Sequence, residues 1–221
     1  MRTWRIAAVT WDAAGTLLRV RGSVGRHYAD VASRFGVAAD ADRLDAAFPG
    51  AFRQAVAEWR VPYGADEADA RAFWDRVIAL TFAAPLAPAA CAALFDHFAA
   101  AEAWEPLPGA AEALALIAAS GRTQAVVSNF DGRLAGLLAA HRLGPFAAVV
   151  TSAAVGRAKP DPAPLLHAAR ALRVVPARIL HLGDSAREDG ACAAAVGAAW
   201  LPVEGGVDLA ALRRRLEDGD G

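Results

Sequence analysis

The sequence predicts an α/β protein in which a doubly wound parallel sheet is interrupted by an all-helical insertion. From residue 106 onward, short apolar segments without a polar face alternate with segments of helical period, and such strands are typical of a parallel sheet covered on both faces. One more apolar segment lies at residues 5–12, ahead of a long stretch that carries helical period alone. With 221 residues, of which 56% are hydrophobic, the chain is long enough to bury the core that this sheet needs.

The elements of the sheet layer follow in order along the chain. Pro108 and Gly109 open a helix that Gly121 closes, and a short apolar strand comes next. Asp208 is placed as the N-cap of a last helix that ends near residue 216, and the acidic, glycine-containing tail after it is predicted to fray. The predicted strands are 5–12, 123–128, 147–151, 178–183 and 198–203, and the predicted helices between the later strands are 130–141, 162–172 and 188–196.

The insertion is recognised by its apolar periodicity. Val24, Tyr28, Val31 and Phe35 recur at steps of three and four residues, and similar patterns follow, separated by loops rich in proline and aspartate. The domains predicted from this pattern are an α/β core formed by residues 1–19 and 105–221 and an all-helical domain formed by residues 20–104.

Composition argues against several classes of function. The formal net charge is −1 and the positive charges are scattered, so a nucleic-acid partner is not expected. No apolar segment is long enough for a membrane span or for the core of a signal peptide, and we therefore expect a soluble, cytoplasmic protein. Cys91 and Cys192 lack the spacing of a metal or redox pair and are predicted to be buried free thiols. The oligomeric state stays open between a monomer and a homodimer.

Four polar segments each fall at the end of a predicted strand or at the start of a predicted helix. They contain Asp12, Ser128 with Asn129, Lys159, and Asp184 with Asp189. Because ligands of open parallel sheets bind at the carboxyl ends of the strands, we expect these residues to meet at one edge. Several of them also have a purely structural interpretation, since Asp and Asn are favoured in turns and at helix N-termini.

The residue types in these segments indicate particular chemistry. A carboxylate at a strand end, such as that of Asp12, is able to attack a substrate phosphorus and form a covalent acyl-phosphate. Asp12 and Asp184 together supply the one or two carboxylates that Mg²⁺ takes beside water and substrate phosphate. Lys159 is the only lysine in a chain that otherwise uses arginine, and a compact ammonium fits where a guanidinium fork needs more room.

These segments in this order, from Asp12-Ala-Ala-Gly15-Thr16 to Gly183-Asp184-Ser185, resemble the haloacid dehalogenase-like (HAD) hydrolase superfamily. The insertion matches in position the helical cap of one branch of that superfamily. The resemblance therefore implies a Rossmann-like core with an inserted all-helical cap domain. The residues around Asp12 and the segment Val24-Gly-Arg-His-Tyr28 look similar to the little-characterised REG-2-like subgroup.

The resemblance also implies catalytic and substrate-binding roles. Asp12 and Lys159 are the catalytic residues, with Asp12 the nucleophile and Lys159 the cation that stabilises it and the phosphate. Ser128 binds the transferring phosphoryl group, and Asn129 and Thr16 are assigned to the same phosphate site. Asn129 is in addition expected to support the structure around that site.

Magnesium is the cofactor that the resemblance implies. Its ligands would be Asp12, the backbone carbonyl of Ala14, Asp184 and Asp189, with Glu188 a competitor for the second acidic position. The backbone contribution of Ala14 does not depend on its side chain. The expected partner is a small phosphorylated metabolite bound as substrate.

Ala14 departs from the pattern of most phosphatases in the superfamily, which have a second Asp at this position. That Asp protonates the leaving group and then activates water, and general acid–base help of this kind is typically worth about 10²–10⁴ in rate. The sequence therefore predicts slow turnover of alkyl phosphates, unless another residue takes the role.

Two related activities share the missing carboxylate. Phosphonoacetaldehyde hydrolases also have Ala at this position but use a cap lysine, and the predicted cap contains none. L-2-haloacid dehalogenases lack metal and do not keep a Gly-Asp pair in the last segment, so Gly183-Asp184 favours a Mg²⁺-dependent phosphohydrolase. A 2-haloacid dehalogenase-type hydrolase and a catalytically degenerate phosphate-binding or interaction protein remain as alternatives.

Overall fold

The computed structural model describes residues 6–61 and 63–218, which form seven strands and ten α-helices. The strands are β1 (Ala8–Trp11), β2 (Leu18–Val20), β3 (Trp104–Pro106), β4 (Thr123–Ser128), β5 (Ala148–Thr151), β6 (Ile179–Gly183) and β7 (Ala199–Pro202). The helices are α1 (Val24–Ser33), α2 (Ala41–Glu58), α3 (Glu67–Phe82), α4 (Pro88–His97), α5 (Ala110–Ala119), α6 (Leu134–Ala140), α7 (Ser152–Val155), α8 (Ala163–Leu172), α9 (Ala191–Val196) and α10 (Leu209–Asp218).

Five of the strands form one parallel sheet in the order β5-β4-β1-β6-β7, so the first strand is central. Its side chains alternate between two buried layers, as the period of a strand requires. Val9, Trp11 and Leu182 belong to the layer that α5, α6 and α10 cover. Ala8 and Val127 belong to the opposite layer, which α8 and α9 cover. The predicted doubly wound parallel α/β fold is therefore confirmed.

The helical insertion is joined to the sheet layer by a two-stranded antiparallel ribbon. The chain leaves the core through β2 and returns through β3, and α1 to α4 lie between them. Helices α1 and α3 each pack against both α2 and α4. Tyr28 and Leu94 belong to one apolar cluster of these helices and Phe73 to a second. All four helices fall within residues 20–104, the range predicted for the helical domain.

The helix predicted at 130–141 begins later, at Leu134. Asp131 explains the difference, because its Oδ1 accepts hydrogen bonds from the backbone N–H of Arg133 at 3.1 Å and from the side-chain Nε at 2.8 Å. A short polar side chain bonded to the backbone two residues on favours a turn over a helix. Asn129 therefore does not cap a helix, and that interpretation of Asn129 is wrong.

The helix predicted at 188–196 is also different at its start. Residues Ala186–Gly190 form a π-helical turn, and α9 follows it. Ser185 begins the turn by accepting a hydrogen bond from the backbone N–H of Glu188 at 3.2 Å. Turns of this type occur frequently at functional sites. This one buries Asp189, which retains only 1% of its accessible surface.

The last helix begins where the sequence predicts it. Asp208 accepts hydrogen bonds from the N–H groups of Ala210 and Ala211, as its predicted N-cap role requires. Helix α10 includes residues 217 and 218 of the tail that was predicted to fray. Residues 219–221 of that tail, residue 5 of the first predicted strand and residue 62 of a predicted loop lie outside the described residues.

Cys91 and Cys192 are buried free thiols, as predicted. Among the described residues, no helix has both the length and the apolar character that crossing a bilayer would require.

Candidate active site

The carboxyl ends of β4, β1 and β6 lie side by side and bring three of the polar segments together. Trp11, the last residue of β1, is in register with Val126 of β4 and with Leu182 of β6. Strand-end side chains that follow these positions therefore converge on a pocket of about 220 Å³. Its lining residues are Asp12, Ala14, Tyr63, Ser128, Asn129, Asp184, Ser185, Glu188 and Asp189.

Asp12 lies at the centre of this pocket, immediately after the central strand. It is 5% exposed, and its Oδ1 accepts hydrogen bonds from Ser128 Oγ at 2.9 Å and from Lys159 Nζ at 2.7 Å. Within the described residues, all side-chain hydrogen bonds of Asp12 fall on this one oxygen. The second carboxylate oxygen, Oδ2, is thus the one available to a substrate or a cation.

Lys159 is buried and uses all three of its N–H donors. Its Nζ donates to Asp12 Oδ1, to Asp189 Oδ1 at 2.5 Å and to the carbonyl oxygen of Val127 at 2.9 Å. Burial alone lowers the pKa of a lysine, but the charges of Asp12 and Asp189 outweigh it and raise the pKa of Lys159 above its usual value. The side chain is therefore a fixed cation between two carboxylates.

Asn129 holds the loop that carries this lysine. Its Nδ2 donates to the carbonyl oxygen of Lys159 at 3.0 Å and to Glu188 Oε2 at 2.9 Å, and its Oδ1 accepts from the backbone N–H of Lys159 at 2.7 Å. Both N–H donors of the amide are used within the protein. The Asn129 side chain has the supporting role expected for it, while a contact with phosphate stays a prediction.

Asp189 is held by neighbours on every side. Its Oδ1 accepts from Lys159 Nζ and from His181 Nε2 at 3.0 Å, and its Oδ2 accepts from the backbone N–H of Ser185 at 3.1 Å. Burial favours the neutral acid, but the His181 hydrogen bond and the Lys159 charge outweigh it and lower the pKa of Asp189 to about 2. Asp189 thus stays ionised and fixes the position of Lys159.

The sequence indicates no role for His181, which contacts the site through Asp189. It is fully buried in β6, where its Nδ1 lies 2.9 Å from Thr10 Oγ1 of β1. Because a carboxylate only accepts hydrogen bonds, His181 Nε2 donates to Asp189. The signal in the sequence was a histidine within an apolar strand, two residues before Gly183.

Asp184 differs from Asp189 in being exposed to the pocket. Partial burial and the negative charges of Asp12 and Asp189 raise the pKa of Asp184 to about 6. Gly15, at φ +93°, lies so close to Asp184 that a Cβ atom there would overlap its carboxylate. A Cβ on Gly183 would overlap the carboxylate of Asp189 in the same way. The two glycines let the acidic side chains converge.

The acidic cluster fits a divalent cation. Asp12, Asp184 and Asp189 each offer an oxygen within 4.8 Å of the others. Lys159 pairs with Asp12 and Asp189, and it is the only lysine or arginine among the described residues that forms an ion pair with the cluster. Burial and the neighbouring negative charges both raise the pKa of Asp184, and hard carboxylate oxygens are the ligands that Mg²⁺ prefers. Glu188 lines the pocket but lies outside the cluster, so the geometry favours Asp189 as the second acidic position.

The two other predicted site residues, Ala14 and Thr16, differ in their position relative to the pocket. Ala14 lines the pocket beside Asp12, and the role of its carbonyl as a ligand stays a prediction. Thr16 is fully buried and does not line the pocket, and its hydroxyl has no hydrogen-bond partner within the described residues. The structure therefore does not bring the Thr16 side chain to the predicted phosphate site.

The helical insertion contacts the core in two ways that the sequence did not indicate, and one of them reaches the pocket. Tyr63 lines the pocket, and its ring stacks on Phe130 with centroids 6.4 Å apart. Burial and the charge of Glu188 raise the pKa of Tyr63, so its phenol stays protonated. Trp74 Nε1 donates to Asp131 Oδ2 at 3.0 Å and so ties α3 to the loop that follows β4.

The parallel core, the carboxylate pocket at its strand ends and the helical insertion that lines one side of it together define the class of haloacid dehalogenase-like hydrolases. The family model of that description matches residues 6–197, and the chain belongs to this family. The chain is 34% identical over 204 residues to haloacid dehalogenase-like hydrolase domain-containing protein 3 of Bos taurus. The alignment covers 87% of this chain and 80% of the bovine protein.

Solved structures of the superfamily share the fold. A HAD family hydrolase of Deinococcus radiodurans with bound phosphate and sodium matches with a TM-score of 0.60 and 26% identity, over 96% of this chain and 88% of that chain. The L-2-haloacid dehalogenase of Xanthobacter autotrophicus with chloropropionic acid covalently bound matches with a TM-score of 0.69 and 24% identity, over 97% of this chain and 83% of that chain.

Proposed function

We propose that this protein is a Mg²⁺-dependent phosphohydrolase that acts on a small phosphorylated metabolite through an aspartyl-phosphate on Asp12. The observation that carries the proposal is the pocket in which Asp12, Asp184 and Asp189 converge, with the buried cation Lys159 paired to Asp12 and Asp189. The phosphate and sodium bound to the Deinococcus radiodurans relative support it, because they show an anion and a cation held by a related fold.

The proposed reaction has two steps at Asp12. In the first, the carboxylate of Asp12 attacks the phosphorus, the bond from phosphorus to the leaving oxygen breaks, and that oxygen takes a proton from water. In the second, water attacks the phosphorus of the aspartyl-phosphate and loses a proton to solvent, which releases inorganic phosphate and restores Asp12. Ser128 and Lys159, both bonded to Oδ1, keep the carboxylate in one orientation throughout.

Asp12, Asp184 and the backbone carbonyl of Ala14 would hold the magnesium ion, which when bound offsets the negative charge of the carboxylates and of the phosphoryl group. Asp189 adds its charge to the same group while its oxygens stay committed to Lys159, His181 and the backbone of Ser185.

Asp184→Asn is expected to weaken magnesium binding by at least about 10- to 100-fold, since even residues that only support metal ligands cost that much when changed. Calorimetric titration of the purified variant with Mg²⁺ measures the effect. Glu188→Gln is the matched control, because Glu188 lines the pocket but lies outside the acidic cluster, and it should lose much less affinity. Unchanged magnesium affinity in Asp184→Asn would contradict the assignment.

Ala14→Asp is expected to raise turnover of alkyl phosphates by up to about 10²-fold, because it restores a group able to protonate the leaving oxygen and then activate water. In the unmodified protein, acyl and aryl phosphates should react much faster than alkyl phosphates, since their leaving groups need little protonation. Steady-state kinetics across such a series measures both effects. If folding and magnesium binding are preserved and turnover does not rise, another residue already performs this step.

The dehalogenase alternative shares the nucleophile and the absence of a second carboxylate at position 14. The carboxylate of Asp184 disfavours it, because a halide leaving group needs neither a proton nor a cation. A panel of phosphate esters, acyl phosphates and 2-haloacids, assayed with and without Mg²⁺ for released phosphate and halide, tests the proposal. Magnesium-dependent phosphate release supports it, whereas halide release favours the dehalogenase, and phosphate binding without turnover indicates a degenerate member.

A further inference from the structure

A second cavity of about 280 Å³ adjoins the catalytic pocket between the helical insertion and the core. Ala14 and Tyr63 line both spaces, so the two are adjacent. We infer that this cavity receives the organic part of the substrate and selects an apolar, ring-bearing group. The inference rests on the proposed function, since it is the phosphoryl group in the pocket that fixes which part of the substrate enters the cavity.

The walls of the cavity are largely aromatic. Tyr28 and Phe52 from the insertion face it, as do Trp104 and Phe130 from the core side. The ring centroids of Trp104 and Phe130 are 5.8 Å apart at an interplanar angle of 57°, within the range of favourable aromatic pairs. Such walls offer an incoming ring both apolar contact and edge-to-face partners. A polar or multiply hydroxylated group would find few hydrogen-bond partners there.

The charged residues that line the cavity are already paired. Arg133 donates to Asp131 at 2.7 Å, and its guanidinium lies 4.0 Å from the centroid of the Phe95 ring. Arg19 donates to Glu105 at 2.7 Å. Because both guanidinium groups that line the cavity are paired with a carboxylate, the cavity does not require a second anionic group on the substrate.

The size of the cavity matches a group of one or two rings. An apolar cavity of about 150 Å³ takes up benzene, so 280 Å³ leaves room for a bicyclic group. Ala14 is exposed and lines both spaces, so the small side chain at this position lies where the two meet.

The test compares two non-hydrolysable ligands with the intact protein in the presence of Mg²⁺. 2-Naphthylmethylphosphonate carries the ring system, and methylphosphonate carries the same charged group without it. Calorimetry should show that the naphthyl compound binds at least about 30-fold more tightly than methylphosphonate, because its rings move from water into an apolar cavity. Tryptophan fluorescence should change with the naphthyl compound alone, since Trp74 and Trp104 line the cavity.

Val24→Phe places a ring inside the cavity and should reduce the ratio of the two affinities by at least about tenfold. Val175→Phe is the matched control, since Val175 is 56% exposed and remote from both spaces, and its ratio should not change. Thermal unfolding of both variants checks that they fold. The comparison in the unmodified protein stands whether or not Val24→Phe folds.

Equal affinities of the two phosphonates would overturn the inference and leave the proposed phosphohydrolase function intact. Tight naphthyl binding that needs neither Mg²⁺ nor Asp184 would also overturn it, because the rings would then bind without a phosphoryl group in the pocket. Magnesium-dependent binding of the naphthyl compound without turnover of naphthyl phosphate would support the cavity assignment and contradict the hydrolytic function. If neither phosphonate binds, both proposals fail.

Discussion

Asp12→Asn is expected to reduce turnover of a phosphate ester by about 10⁴-fold or more, because an amide oxygen does not replace an ionised carboxylate as nucleophile. The variant should also form no covalent phosphoenzyme. Steady-state kinetics measures the first effect. Rapid acid quench with a substrate labelled in its phosphoryl group measures the second, and in the unmodified protein the label should appear on the peptide that contains residues 6–18.

Asp208→Asn is the control for this experiment, since it makes the same chemical change at a helix cap outside the pocket. Asn is also a good N-cap residue, so this variant should keep its stability and its turnover. Label on a different peptide, or normal turnover in Asp12→Asn, would exclude the covalent mechanism. The absence of a second carboxylate at Ala14 makes trapping easier, because hydrolysis of the aspartyl-phosphate lacks its usual base.

Lys159→Met is expected to lower the free energy of unfolding by about 3–5 kcal/mol near neutral pH and to abolish turnover. Removal of the lysine leaves Asp12 and Asp189 as buried carboxylates without their cation, and breaking a buried ion pair from one side costs about that much. Urea unfolding measures the loss. Added Mg²⁺ should restore part of it, because a cation bound between the carboxylates takes over some of the neutralisation.

The loss of stability should shrink in acid. In Lys159→Met, Asp189 loses the Lys159 charge that helps to lower its pKa, so the variant has less of this stabilisation to lose as the pH falls. In the unmodified protein the pKa of Asp189 is lowered from 3.8 to about 2, so its stabilisation is present above 3.8 and lost as the pH falls toward 2. The two stability curves should therefore converge in acid.

Two further variants sharpen the Lys159 prediction. Arg157→Met removes an exposed cation two residues away and should change the free energy of unfolding by no more than about 0.5 kcal/mol. Lys159→Arg keeps the charge but should lose nearly as much activity as Lys159→Met, because a planar fork does not fit between two oxygens held by one ammonium. Near-normal kinetics in Lys159→Arg would show that Lys159 only supports the fold.

The sequence predicted the meeting of Asp12, Ser128 and Asp184 because this step needs only local patterns and one general rule. Apolar segments locate the strands, and parallel strands present their carboxyl ends at one edge. Lys159 joined the set because its residue type is unique in the chain. None of these inferences required knowledge of which side chains touch.

The parts that the sequence did not predict depend on contacts between distant segments. The partners of Asn129 are a loop backbone 30 residues away and Glu188, and neither pairing follows from periodicity. The π-helical turn that buries Asp189 beside His181 likewise follows from tertiary packing. For the insertion, helical period identifies which faces are apolar but not how the helices dock, so the approach of Tyr63 to the pocket was not foreseen.

The burial of Lys159 has a practical consequence for chemical labelling. It is the only side-chain amine in the protein and only 4% of its surface is accessible, while every other basic side chain is an arginine or a histidine. A reagent that acylates lysine therefore finds its target only when the core opens around the three oxygens that hold the ammonium. The rate of acylation at this one position therefore reports how often the candidate catalytic centre opens, and no residue has to be introduced for the measurement.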